Sequence, residues 1–500
     1  MNKNIYKIVL SSLILQILIA VSGFILPKLF IETYGSEVNG LVNSIKQFLT
    51  YFSSISLGLG AASAAALYEP LSKGNYNKIS SILSASKNFF YKTGFYFFCM
   101  VLVLAIIYPI LIDSNIPANS IISIIIILGV GGVCEYSLVS PYRILLVSDQ
   151  KNYIVSKITA EGVIINLIIS VIMIKLKYDF VIVQVVSAFV YIFRLLYTKI
   201  YVKNKYPKIN YKAQPNFDLI NNRWDAFYYE LPRLIINYSP VLLISLVLSL
   251  SWVSIYSIYN MIASSLFMII STFSTGINAI FGKMVVENDL FQVQKKFDVF
   301  NMIFQFINLT LFIVASVMII PFIKIYINTD INYIFPFFAW LFIFSTYLKA
   351  FRLPYNVIIE ATGNFKDNKV PNIIEAMSFV SLSILLSLFN GINGIMIALI
   401  ITSFIRNMVY INYTDNKIFE SSSIKNLGRY FILSIYFITV TTTLILSYRV
   451  SFGVLNWIGT SFNVLFIVIV INIFAFYLFY NVEIKMTLKY FIKWYLKRRE

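Results

Sequence analysis

The placement of lysine and arginine constrains the fold of this chain more than any other feature. Fourteen apolar stretches alternate with short polar gaps, and 33 of the 40 basic residues fall in every second gap. Those gaps contain Lys3 and Lys7, then Lys73 to Lys92, Arg143 to Lys157, Arg194 to Arg223, Lys283 to Lys296, Lys349 to Lys369, Arg406 to Arg429 and Lys485 to Arg499. The intervening gaps hold five: Lys28, Lys175, Lys177, Lys324 and Arg449. Cytoplasmic loops of helical membrane proteins retain positive charge, so the alternation orients the chain and places both termini in the cytoplasm. Lys46 and Arg233 belong to neither class, because each lies well inside an apolar stretch.

Composition agrees with a membrane span count of this order. Hydrophobic residues make up 59% and charged residues 12%, with a mean hydropathy of +0.79, whereas soluble domains carry roughly 25% charged residues. The net charge of +18 is spread over eight short segments without a basic-aromatic module, which argues for contact with anionic membrane lipids and against nucleic acid. Cys99 and Cys134 fall within apolar stretches and read as small core residues. Lys3 and Lys7 precede a long apolar run with no small-x-small site after it, so the run reads as a first helix and not as a signal peptide.

A helix needs about 20 apolar residues to cross a ~30 Å hydrocarbon core. The spans so defined are 5–30, 38–68, 84–112, 119–147, 152–174, 179–201, 225–250, 253–284, 300–327, 332–360, 368–388, 392–413, 428–448 and 454–482. The longest hydrophilic link, Lys203 to Arg223, reads as a hinge between two halves. Internal similarity supports that division. PYRILLVSDQ at 141–150 resembles PYNVIIEATG at 354–363, at an offset of 213, and one inserted residue then sets Glu161 opposite Glu375. A weaker match sets EVNGLVNSI from Glu37 against WVSIYSIYN from Trp252, at an offset of 215. The expectation is an all-α polytopic membrane protein of about 14 helices. Residues 1–210 and 211–420 form two six-helix lobes, and an even helix count relates them by a pseudo-two-fold along the membrane normal. Residues 421–500 add helices thirteen and fourteen and a basic tail.

Charge inside the membrane marks the candidate site. Lys46 lies nine residues past Glu37, about 13 Å along the second helix. Asn39, Asn43, Lys46 or Gln47, Thr50 and Ser53 recur at three- and four-residue steps and share one face. In helix seven Glu230, Arg233 and Asn237 repeat the pattern beside Pro232. A charge at a helix centre costs about 2.5–3.5 kcal/mol and is tolerated where it faces a cavity or a partner. Arg233 therefore either engages a ligand or pairs with Glu230 to fix helix packing. Glu135, Glu161 and Glu375 are also deep. They either bind a coupling proton or cation, or pair across helices with Arg143 or Arg352. Arg143, Lys349, Arg352 and Glu360 lie nearer the cytoplasmic ends, where snorkelling accounts for them. The sequence has no histidine, no phosphate-binding glycine loop, no cysteine cluster and no acidic pair in an external gap, so it offers no machinery for ATP hydrolysis, metal chemistry or hydrolysis, and no cofactor is expected.

The stretch LPKLFIETYGSEVNGLVNSIKQFLTYFSSISLGLGAASAAALYEPLSKGNYNKI, Leu26 to Ile79, resembles the N-terminal signature of bacterial polysaccharide biosynthesis proteins of the Wzx type. These are lipid-linked oligosaccharide flippases in the same superfamily as multidrug and toxic compound extrusion transporters and the lipid II flippase. The resemblance implies carriage of undecaprenyl-pyrophosphate-linked sugar repeat units by alternating access around a central cationic cavity, for O-antigen, capsule or another surface polysaccharide. It further implies work beside a polysaccharide polymerase and assembly proteins. Lys46 and Arg233 match that cavity in helix and depth, and would engage the anionic head group, with Asn39, Asn43 and Asn237 contacting sugars. One alternative is a cation-coupled multidrug antiporter, although helix one carries Gln16 and no acidic residue between Ile5 and Ile31. Another class, a membrane polysaccharide polymerase or glycosyltransferase, ordinarily needs a large external loop or acidic catalytic groups, and neither is present.

Overall fold

A computed structural model describes residues 3–53, 57–217, 223–287, 289–327, 332–362, 365–448 and 453–485. These residues are almost entirely helical and contain no strand. The helices are α1 (Lys3–Ser53), α2 (Leu57–Ser72), α3 (Tyr76–Leu111), α4 (Ala118–Val133), α5 (Ser140–Ser148), α6 (Asn152–Lys175), α7 (Phe180–Lys205), α8 (Arg223–Val247), α9 (Leu250–Glu287), α10 (Leu290–Tyr326), α11 (Pro336–Phe351), α12 (Leu353–Ala361), α13 (Phe365–Asn390), α14 (Ile392–Asn412), α15 (Ile424–Ser447) and α16 (Val454–Phe479).

Among the described residues, eleven helices are each long and apolar enough to cross a membrane. The expected fourteen are recovered once three irregular spans are added. First, α1 is two limbs that meet at Gly35, where φ is 84° and ψ 171°. A Cβ there would meet nothing within 4 Å, so the positive φ, and not crowding, calls for glycine. Second, α8 has a shorter apolar segment, Leu231–Val247. Third, α11 and α12 are one span broken at Arg352. The protein is thus a multi-pass membrane protein.

Several helices outrun their apolar stretches. α3 begins at Tyr76 and not near 84, because the Asn75 side chain accepts from Lys78 N at 3.1 Å and caps the first turn in the polar zone. Hydropathy marks the membrane core, whereas backbone hydrogen bonding carries the helix past it.

The chain divides into two compact units, Met1–Ile258 and Tyr259–Glu500. In the first, α3 and α4 pack on the second limb of α1 around Leu41, Ile45, Val101, Ile124 and Ile125. α8 packs on α1 and α2, and Tyr51 ties the second limb to it by donating to Ile235 O at 3.2 Å. The span α4–α5 is interrupted by a π-helical turn, Cys134–Val139, of the kind found at functional sites. The first part of the link after α7 is docked: Tyr206, Ile209 and Tyr211 pack against the core of this unit. Asn210 N donates to Ser80 Oγ at 3.0 Å, and the Tyr206 hydroxyl bonds Asp149. Burial and that hydrogen bond push the Tyr206 pKa upward, so the phenol stays a donor.

In the second unit, α10 packs against α11, α15 and α16. The break between α11 and α12 leaves carbonyls that a continuous helix would satisfy. Two buried amides take their place. Gln305 Nε2 donates to Phe351 O at 2.9 Å, and Asn407 Nδ2 to Leu348 O at 2.8 Å. Asn472 joins three helices: its Nδ2 donates to Thr310 Oγ1 at 2.8 Å and its Oδ1 accepts from Tyr436 at 2.7 Å.

Candidate functional site

The polar face expected on the second limb of α1 opens into a cavity of about 100 Å³ inside the first unit. From that limb come Asn39, Asn43 and Lys46, and from the first limb Leu26, Pro27 and Phe30. The kink at Gly35 lets one continuous helix supply both walls. α6 adds Asn166 and Ser170, and α7 adds Gln184, Ser187 and Tyr191. A water needs roughly 10–15 Å³ of such space, so the cavity holds several waters or one small polar group.

The amides are held in place. Asn39 Nδ2 donates to Ser254 Oγ at 2.7 Å, and Asn43 Nδ2 to Asn39 O at 2.9 Å and Ser257 Oγ at 3.4 Å. This pairing depends on close approach of α9: a Cβ on Gly40 would stand 1.8 Å from Leu250 O. On the opposite wall Ser170 Oγ donates to Asn166 Oδ1 at 2.9 Å and shares a hydrogen bond with Ser187 Oγ at 3.0 Å. Among the described residues, Lys46 is the one charged residue of the lining, and no carboxylate accompanies it. A cation surrounded by neutral dipoles in an apolar bundle is electrostatically matched by an anion.

Arg233 and Asn237 stand on α8, outside this lining; Arg233 is exposed and Asn237 half-buried. The side chain of Glu230 lies outside the described residues. The remaining deep glutamates face cations. Glu375 is buried, with Arg352 Nη1 at 2.7 Å and Arg406 Nε at 3.6 Å. Glu135 lies 3.6 Å from Arg194, and Glu161 lies 3.8 Å from Lys157. Arg352 is buried and engaged by Glu375 from α13, which is the cross-helix pair expected for a deep glutamate and not the snorkelling expected for Arg352 itself.

Arg194, Arg406 and the α6–α7 wall were not singled out by the sequence. Signals were nevertheless present: Asn166 and Ser170 are four residues apart, Gln184 and Ser187 three, and Arg194 and Arg406 are 212 residues apart, close to the repeat offset. Among the described residues no group of three or more metal-ligating side chains forms.

Comparison with known proteins shows the fold. A structure of the lipid II flippase MurJ in an inward closed conformation superposes with a TM-score of 0.70 at 14% identity, covering 94% of this chain and 99% of that one. An inward-facing multidrug resistance MATE family transporter of the MOP superfamily gives 0.62 at 9% identity, over 85% and 96%. A MOP superfamily transporter from Pyrococcus furiosus, described as having a binding pocket of reverse polarity, gives 0.56 at 11% identity, over 82% and 94%. No protein-family model matches the chain. No curated protein matches it by sequence.

Proposed function

We propose that this chain is a flippase that carries undecaprenyl-pyrophosphate-linked oligosaccharide repeat units across the bacterial cytoplasmic membrane by alternating access, for O-antigen, capsule or another surface polysaccharide. The observation that carries the reading is the cavity around Lys46, where the described residues set a single cation among amides and hydroxyls with no carboxylate, inside a membrane bundle. Moving a pyrophosphate and sugars through hydrocarbon unaided costs far too much. A cation that balances the anionic head group, and neutral donors and acceptors that replace water around sugars, lower that cost. Lys46 and Arg233 engage the head group in this reading, and Asn39, Asn43 and Asn237 the sugars. Partners are the lipid-linked unit, membrane lipids, and a polymerase with its assembly proteins. The alternation of basic gaps places both termini in the cytoplasm.

Duplication into 1–210 and 211–420, with 421–500 added, belongs to the same reading. Two features support it. Pro141 and Pro354 each occupy the second position of a nine-residue helix, and each of those helices follows a 16-residue helix and a break. In addition, Asn39 and Ser254 are partners at the repeat offset and touch each other. The pairing of Glu135, Glu161 and Glu375 with basic residues favours a packing role over ion coupling at those positions.

The second reading, a cation-coupled multidrug antiporter, is favoured by the MATE folds and disfavoured by a cavity that would repel a cation. Deletion of the gene in its own host separates the readings. Complete repeat units trapped on the cytoplasmic face are expected. Normal surface glycan with altered drug susceptibility points to the antiporter, and units that cross but stay unpolymerised point to a polymerase.

A further inference from the structure

The buried ion pairs of this protein are not equally well made. Arg352 donates to Glu375 at 2.7 Å, and Arg429 grips Glu483 at 2.9 and 2.7 Å. Glu135 and Arg194 are also largely buried, with 18% and 15% of their side chains exposed, yet Arg194 Nη1 stands 3.6 Å from Glu135 Oε2. Among the described residues, Glu135 Oε2 and Arg194 Nε are shut off from solvent without a hydrogen-bond partner. The guanidinium makes a long hydrogen bond instead, from Nη2 to Thr159 O at 3.3 Å. Unmade hydrogen bonds on buried charged groups are costly, and they leave the pair with capacity for a further ligand.

The pair adjoins the polar cavity. Gln184, Ser187 and Tyr191 line that cavity from α7, and Arg194 follows at the next three-residue step, so all four share one helix face. Arg194 is about 4.5 Å beyond Tyr191 along the axis, in the direction that the basic gaps make cytoplasmic. The Tyr191 hydroxyl is near enough to feel the charge of both Arg194 and Glu135. Two glycines make room for these side chains. A Cβ on Gly131 of α4 would stand 2.5 Å from the Tyr191 ring, and one on Gly162 of α6 would stand 2.5 Å from Arg194 Nε. Glu135 itself sits on the π-helical turn.

We propose that Arg194 is the receiving cation of the transport path: Glu135 holds it while the site is empty, and the diphosphate of the lipid-linked substrate takes the place of that carboxylate before reaching Lys46. A diphosphate offers more charge and more acceptor oxygens than one carboxylate, and a guanidinium binds phosphate through two parallel hydrogen bonds. The exchange therefore supplies the bonds that the resting pair lacks. This assignment rests on the flippase reading and adds the residue that first meets the head group.

Binding of geranylgeranyl diphosphate to the purified full chain in detergent tests this, with geranylgeranyl monophosphate as the comparison. The two single substitutions are expected to act in opposite directions. Glu135→Gln frees Arg194 and should tighten diphosphate binding several-fold. Arg194→Gln should weaken it about tenfold, as the loss of one charge-assisted contact does, and should reduce the preference over the monophosphate. A pair that serves packing alone gives a different result: both variants melt lower, and probe affinity is unchanged in both or weakened alike in both. Either outcome overturns the proposal. Should Glu135→Gln fold poorly, the double variant Glu135→Gln with Arg194→Gln leaves no buried charge unpaired. It is expected to bind the diphosphate as weakly as Arg194→Gln alone, and wild-type affinity in it overturns the proposal. If Lys46→Ala abolishes binding while Arg194→Gln leaves it unchanged, the Arg194 assignment fails and the flippase reading stands. If deletion of the gene traps no repeat units, the flippase reading itself fails.

Discussion

Asn39 donates to Ser254 over 2.7 Å, and the two residues are 215 positions apart, the offset at which the chain resembles itself. Asn43 and Ser257, at 3.4 Å and 214 positions apart, repeat the contact one turn along. The polar cavity is therefore built against α9, so that the helix carrying Lys46 is braced through Ser254 and Ser257.

Gly40 permits that brace. With a Cβ 1.8 Å from Leu250 O, Gly40→Ala forces backbone to move, and overpacking of this kind costs about 1–3 kcal/mol or more. The variant is expected to melt at lower temperature in detergent and to lose transport. An unchanged melting temperature would show that α9 does not approach the second limb so closely.

Lys46→Ala is expected to abolish surface polysaccharide at normal protein level, because it removes the one charge of the described lining that balances the head group. Lys46→Arg keeps the charge and is expected to retain part of the activity. Normal glycan in the alanine variant refutes the role given to Lys46.

Glu375→Gln leaves Arg352 and Arg406 buried without their counter-charge, and breaking a buried pair costs about 3–5 kcal/mol. The expected readout is low folded yield and a reduced melting temperature, with the ion dependence of any residual transport unchanged. Altered ion dependence in a stably folded variant would move Glu375 from packing to coupling.

Glu483 follows α16 and is fully buried. Arg429 grips it through both Nη atoms, at 2.9 and 2.7 Å, and Lys425 Nζ lies at 2.8 Å. Burial alone would raise its pKa, but the hydrogen bonds from Arg429 and Lys425 outweigh burial and hold it below the usual glutamate value. A depressed folded pKa stabilises the fold fully above the unfolded value, about 4.3. That stabilisation is lost as pH falls through the folded value. Melting temperatures should be flat in this respect between about pH 7 and 5, then fall in more acid solution. Glu483→Gln should melt lower near neutrality and show less of the acid decline.

Lys46, Asn39 and Asn43 were legible because a polar face stands out against an apolar stretch, and three- and four-residue spacing fixes which residues share it. The α6–α7 wall was not, since isolated Asn, Ser and Gln are ordinary in such helices and their convergence is a tertiary fact. Arg352 carried two readings, snorkelling and a pair with a deep glutamate, and the structure has the pair. Depth along one helix suggests snorkelling, but the carboxylate that buries it comes from another. Hydrophilicity likewise marked the link after α7 as exposed, whereas Tyr206 and Tyr211 in its first part supply apolar surface that docks that part. The break at Arg352 and the π-turn at Cys134–Val139 each carried a proline signal, Pro354 and Pro141, two residues past the interruption.

A single residue, Gly35, joins the helix segment that bears Phe30 to the one that bears Lys46. There is no slack in such a joint. The two walls it connects differ in direction by what one pair of backbone torsions allows, so a tilt of either is handed to the other undiluted. The aperture of the polar cavity is consequently geared to those torsions, and any residue confined to negative φ at position 35 would set the gear at a different ratio.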